Sequence, residues 1–214
     1  MTRCAAALAV VAVVAVPSGA GADRREASVH AHVLGAFLSV GDTASRRAGT
    51  GPAAGIAARA SFATRNSYQY DLAVSLLAGR ASFDEGTFGA PGQPSRTGPF
   101  TVATQAVRLD GGVTFRLGVR WIPTLRLAAG LQGRHRGAPV VTVGGVLLSS
   151  AQTGRTADFQ LDAVGVADLG LDYRVGRRLV IGAAAGASYA VPLGGESSRT
   201  LEVTAHAAYY WYPR

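Results

Sequence analysis

The segment Asp158–Tyr173, DFQLDAVGVADLGLDY, admits few folds because its charges all share one parity. Asp158, Asp162, Asp168 and Asp172 stand at even positions. The odd positions hold Phe159, Leu161, Ala163, Gly165, Ala167, Leu169, Leu171 and Tyr173, with no acid or base among them. Wound as a helix, the four aspartates fall within an arc of about 120°, but Leu161 and Leu169 fall inside the same arc. Gly165 and Gly170 would each cost roughly 1 kcal/mol in a helix interior. With a period of two nothing is misplaced, so the segment reads as a strand. It is a long one. Strands in soluble sheets run about 5–6 residues, whereas a membrane-crossing strand needs about 9–11 and its polar face continues past the bilayer.

The N-terminus carries an export pattern. Arg3 precedes the apolar run Ala5–Val16, Pro17 follows, and Ala20-Gly21-Ala22 fits a small-x-small cleavage site before Asp23. The apolar run is too short to span a bilayer as a helix. The expected organisation is a cleaved signal over 1–22, a short segment over 23–27, and one domain over 28–214. The single cysteine, Cys4, leaves with the signal, so the mature chain has no thiol chemistry. All 21 basic residues are arginine and the formal net charge is +8. An exported chain does not meet nucleic acid, and these arginines are dispersed, so anionic lipid headgroups are the expected partner.

Seven further runs alternate: 29–40, 55–63, 68–79, 101–117, 124–134, 179–191 and 201–212. The connections alternate too. Arg65–Ser67, Gly118–Pro123 and Arg174–Arg178 are short, while Asp42–Ala54, Arg80–Phe100, His135–Arg155 and Pro192–Arg199 are long. Tight turns at one end and long loops at the other are expected of an eight-stranded antiparallel up-and-down transmembrane barrel, with both termini and the turns in the periplasm. Within the third long loop, VVTVGGVLL reads as a hairpin turning at Gly144-Gly145 and continuing the fifth and sixth strands above the membrane. The Gly- and Pro-rich stretch of the second long loop is expected to be mobile.

The aromatic residues test this topology independently. Phe62, Tyr68, Tyr70, Phe115, Trp121, Tyr173, Tyr209 and Trp211 fall at the turn ends of strands; Phe37, Phe159 and Tyr189 fall at the loop ends. Two girdles at headgroup level suit rings with an apolar body and a wet edge. Phe83 and Phe100 break parity, which predicts a bulge or register change near the second loop.

On these strands and turns, with segments such as FRLGVRWIPTLRLAAG and YRVGRRLVIGAAAGASY, the chain resembles the small outer-membrane β-barrels of Gram-negative bacteria, the OmpA/OmpX and opacity-protein type. The resemblance covers about residues 28–214 and lies in pattern, not in an invariant motif. It implies insertion by the barrel-assembly machinery, which in that family reads a terminal aromatic residue; here Tyr210 and Tyr212 are followed by Pro213-Arg214.

In such a barrel the lumen is filled by side chains. Turned inward are His30, His32, Arg59, Asp71, Arg108, Asp110, Arg116, Arg126, Arg134, Asp158, Asp162, Asp168, Asp172, Glu202 and His206. The fourth and fifth strands are rich in arginine and the sixth in aspartate, so Arg126 and Arg134 are expected beside the Asp158–Asp172 row. Buried charges are costly unless paired, and the network should plug the barrel. No cofactor is implied, and His30, His32 and His206 lack a complete metal-ligand set. Arg46, Arg47, Arg80, Arg96, Arg136, Arg155 and Arg199 would ring the outer rim, where guanidinium forks suit lipopolysaccharide phosphates. The expected role is structural or surface-interacting, in the outer membrane and without an open pore. Two alternatives differ in class. A secreted soluble lipocalin-like barrel for a small apolar ligand has the same alternation turned inside out. A lipid-modifying enzyme resembling the eight-stranded lipid A deacylase family would carry a His-x-Ser pair on a late strand, but this chain has His206-Ala207-Ala208, and Ser188 has no histidine nearby in its own hairpin except, at a distance, His206. No enzyme is expected.

Overall fold

The computed structural model describes residues 26–42, 47–65, 68–89, 92, 94–193 and 196–211. The expected signal segment and the terminal Tyr212, Pro213 and Arg214 lie outside them, as does Arg46. Eight long strands form a closed antiparallel ring: β1 (Glu26–Asp42), β2 (Arg47–Arg65), β3 (Tyr68–Phe88), β4 (Arg96–Arg116), β5 (Trp121–Arg136), β8 (Asp158–Arg174), β9 (Leu179–Pro192) and β10 (Ser198–Trp211). Each pairs with its neighbour in sequence, β5 with β8 across the third loop. β1 pairs with β10, and this pairing closes the ring. Two short strands, β6 (Val140–Val143) and β7 (Val146–Leu148), make a hairpin, and Ser150–Thr153 forms one helical turn.

Parity decides which face is which. In β1, β4, β5, β8, β9 and β10 the even residues point to the lumen; in β2 and β3 the odd ones do. Leu169 is 67% exposed and Leu161 42%, whereas Asp162 is 0% exposed. Outside stands a continuous apolar surface including Val33, Ile56, Leu72, Leu109, Leu127, Ile181 and Val203. A soluble barrel would need the opposite arrangement, because apolar area exposed to water costs roughly 25 cal/mol per Å².

Two expectations are corrected. First, Arg80–Phe100 is mostly strand: β3 and β4 each run 21 residues and remain paired out to Phe88 and Arg96. Second, the VVTVGGVLL hairpin does not continue β5 and β8. It folds back along β4, with Phe100 opposite Val141 and Thr101 opposite Val140. Its Gly144-Gly145 turn has φ of 57° and 81°, the doubly positive pair that twists with its strands and favours glycine. The irregularity expected near the second loop is present, between Phe83 and Gly86, opposite Phe100 and Gly98. Both rings lie on the inward parity of their own strands, stacked with centroids 4.3 Å apart. Facing inward in an otherwise outward aromatic set, they belong to a separate apolar cluster.

Candidate functional site

The lumen is filled in three layers. At the turn end, Tyr210 is fully buried with Ile122, Val180 and Ala208. The guanidiniums of Arg116 and Arg174 lie 5.1 and 5.7 Å from its ring centroid. Both arginines also reach Glu26, at 3.3 and 3.5 Å. Sequence reasoning missed Glu26 and Tyr210. Continuing the even parity of His30 and His206 to the strand ends would have found them.

The middle layer is an ion-pair network drawn from five strands. Arg108 on β4 grips Glu202 on β10 through two hydrogen bonds of 2.6 and 3.0 Å, and its Nε lies 3.3 Å from Asp110. Asp110 in turn accepts from Arg126 on β5. Arg126 donates through Nε and Nη2 to Asp71 on β3, at 2.9 and 2.6 Å, and Asp71 also accepts from Thr114. Asp168 stands opposite Arg126 on β8 but is its more distant partner, at 3.6 Å. Nearer the loop end, Arg134 lies 3.3 Å from Asp162 and donates to the Glu196 carbonyl at 2.7 Å. Glycines on β9 make room for these groups: a Cβ on Gly186 would collide with the Asp168 carboxylate, and one on Gly182 with Asp172 and His206.

The structure places two of the aspartates differently from the expected row. Among the described residues Asp172 contacts His206 at 3.0 Å and no arginine. Asp158 is a mouth residue, half-exposed, held by Arg136 at 2.7 Å instead of by Arg126 or Arg134.

Beside the network His30, His32 and His206 gather with ring centroids 4.7–6.0 Å apart. Among the described residues no group of three or more histidine, cysteine or carboxylate side chains could hold a metal. Serine–histidine contacts do occur here, which sequence reasoning missed: His30 Nε2 lies 3.0 Å from Ser28 Oγ and 3.4 Å from Ser61 Oγ. Arg59 can only donate, and its Nη2 sits 3.1 Å from His30 Nδ1. The imidazole proton therefore stands on Nε2, which donates to serine and takes no proton from it. Ser188 donates to Glu202.

The third layer closes the mouth. Leu38, Val40, Ala81, Phe83, Phe88, Phe100, Val141 and Leu148 form a buried apolar cluster, and the guanidinium of Arg155 lies 4.9 Å from the Phe88 ring centroid and 5.6 Å from that of Phe100. Above it a cavity of about 290 Å³ opens between Phe83, Phe100, Pro139, Arg136, Arg155 and Asp158. Below, a void of about 50 Å³ lies within the network beside His32, Arg108, Arg126 and Glu202, room for a water or two.

Outside, the expected girdles stand at the two rims. Phe37, Tyr70, Phe115, Trp121, Phe159, Tyr189, Tyr209 and Trp211 are exposed; Phe62, Tyr68 and Tyr173 are half-buried. Trp121 packs on Tyr173 with centroids 4.7 Å apart, and Tyr68 meets Tyr70 edge-on at 5.7 Å.

Among solved structures, the chain is similar to Ail, the attachment invasion locus protein of Yersinia pestis, there in complex with the heparin analogue sucrose octasulfate. The two are 11% identical with a TM-score of 0.51, over 88% of this chain and 99% of that one. The fold is that of a small outer-membrane β-barrel. Neisserial surface protein A (12% identity, TM-score 0.48, 85% of this chain and 96% of that) and OprG of Pseudomonas aeruginosa (10%, 0.48, 86% and 96%) are also similar. No family profile and no curated protein matches the chain in sequence.

Proposed function

We propose that the protein is an integral outer-membrane barrel that is closed to diffusion, with a structural or surface-interaction role exercised at its loop end. The observation that carries this reading is the inverted distribution of its side chains. Oily residues cover the outside, while ionised ones pair along the axis between an apolar mouth and a tyrosine-sealed base. An arginine on the outside at bilayer midplane would cost roughly 2–4 kcal/mol, whereas inside it meets a carboxylate. We assign no catalytic role, since His30 is oriented as a donor to both nearby serines.

Lipopolysaccharide phosphates are the proposed partners of the loop end. Arg80, Arg96 and Arg199 are exposed there, and the Arg199 guanidinium lies 5.5 Å from the centroid of the Tyr189 ring in the outer girdle. Arg136 and Arg155 instead serve the mouth. Insertion is proposed to use the barrel-assembly machinery; the aromatics at the end of β10 that face outward are Tyr209 and Trp211, since Tyr210 faces the lumen.

Cell fractionation with gel mobility tests the reading. The protein should appear in outer membranes and need detergent for extraction, and the unboiled form should migrate differently from the boiled one. Recovery from the aqueous periplasmic fraction would reject it.

A further inference from the structure

The turns opposite the loops carry a concentration of charge that neither the lumen nor the loop end explains. Arg120 lies in the β4–β5 turn, and Arg177 and Arg178 lie in the β8–β9 turn. No aspartate or glutamate falls between 117 and 120 or between 174 and 178. The two turns adjoin: Arg174 N donates to the Arg120 carbonyl at 2.9 Å, and Tyr210 N donates to the Arg178 carbonyl at 2.8 Å. The arginines thus form one patch spanning β5 to β10. Glu26, the nearby acid, faces the lumen side and is engaged by Arg116 and Arg174.

Two of these guanidiniums are held in place by girdle tyrosines. Arg120 donates to the Tyr173 hydroxyl through Nη2 at 2.7 Å and Nε at 3.1 Å. Arg178 Nη1 donates to the Tyr209 hydroxyl at 3.0 Å. Neither arginine contacts a carboxylate among the described residues. The same turns expose Leu117, Val119 and Val175, at 69%, 82% and 54%. Bare aliphatic side chains beside arginine suit neither bulk water nor hydrocarbon. They suit the headgroup layer, where acyl chains start and phosphates lie.

We propose that this patch is a binding surface for anionic phospholipid in the leaflet at the turn end, with Arg120–Tyr173 and Arg178–Tyr209 as two phosphate clamps. β8 and β10 are separated by one strand, which sets the clamps roughly 10 Å apart along the rim. A guanidinium anchored by a hydroxyl keeps N–H groups for a phosphate oxygen and loses less rotamer freedom on binding it. The surface would give the barrel a lipid preference at each end, phosphoglycerol below and lipopolysaccharide above. It rests on the membrane reading made above.

The test uses the full chain reconstituted in bilayer discs of phosphatidylcholine mixed with phosphatidylglycerol, with retained lipids identified by native mass spectrometry. Phosphatidylglycerol should be enriched on the protein over its bulk share. The R120Q/R178Q variant should lose this enrichment by roughly fivefold per arginine, the factor that one basic residue near an anionic surface provides. Y173F/Y209F keeps the charge and should lose a smaller part. R80Q/R199Q, at the opposite rim, should change nothing. Raising the salt to about 0.5 M should weaken enrichment in the unaltered protein, a measurement that needs no variant to fold. Retained lipid that mirrors the bulk mixture, or enrichment that survives R120Q/R178Q, overturns the proposal. So does binding of a soluble anionic polymer in place of the lipid. The heat-dependent gel shift reports separately whether the barrel has formed, so failure of the membrane reading is distinguishable from failure of the lipid surface.

Discussion

Arg126 starts on β5, yet its guanidinium is shared among carboxylates from β3, β4 and β8. Replacing it with glutamine leaves Asp71 and Asp110 buried without their shared cation, and breaking a buried pair from one side costs about 3–5 kcal/mol. Urea unfolding in lipid vesicles should show a loss of that size for R126Q. R178Q, whose exposed guanidinium donates to the Tyr209 hydroxyl, should cost at most about 1 kcal/mol. A second residue-level expectation concerns Gly186. A side chain there would enter the space of the Asp168 carboxylate and the Ala167 carbonyl, so Gly186→Val should abolish the heat-dependent gel shift, while Ala187→Val on the outward face should preserve it. That Arg126, Asp110 and Asp71 stand on the charged faces of their strands is legible from parity alone. Who holds whom is not. The partner row on β8 is adjacent in the sheet, but Arg126 turns to its other side, to Asp110 on the adjacent β4 and past it to Asp71 on β3, because the curvature of an eight-stranded interior brings inner faces within reach of a long side chain.

β8 shows how much of an element alternation can settle. Its outward residues run from Phe159 to Tyr173, and Leu169 stands near the middle of that span at 67% exposure. Leu169→Arg should destabilise the inserted barrel by roughly 2–4 kcal/mol, whereas Val175→Arg in the turn should cost about 0–1 kcal/mol; the same unfolding assay separates them. The β6–β7 hairpin behaves differently. It touches the ring through the two residue pairs with β4 and through Val141 and Leu148 in the mouth cluster. Replacing 140–148 by a short polar linker should leave the gel shift intact and uncover Phe100, detectable as increased binding of an apolar dye. The Gly144-Gly145 turn could be read locally, since two positive φ values ask for glycine. Its docking on β4 could not, because arms of four and three residues carry too little pattern to name their partner. For the same reason the loop-end extensions of β3 and β4 escaped notice: above the bilayer neither face need be uniformly apolar, so alternation fades while pairing continues.

As a whole, the molecule has its oily surface outside and a paired ionic network in its centre, beside a void of about 50 Å³. Vesicles containing the protein should therefore swell in an isosmotic sugar no faster than empty ones; a rate above that background would contradict the closed reading. The amino-acid sequence by itself determined the strand period, the split of each strand into a charged and an oily face, the rhythm of short and long connections, and the placing of aromatics at strand ends. These are local properties, because the side-chain period of an extended chain is set by its backbone. Tertiary structure alone decided which face looked outward, which charges met across the lumen, and where Phe83, Phe100 and Tyr210 sealed the two ends. Alternation has no sign until the ring closes, and a contact between β3 and β5 exists only once curvature brings their inner faces within reach of one arginine.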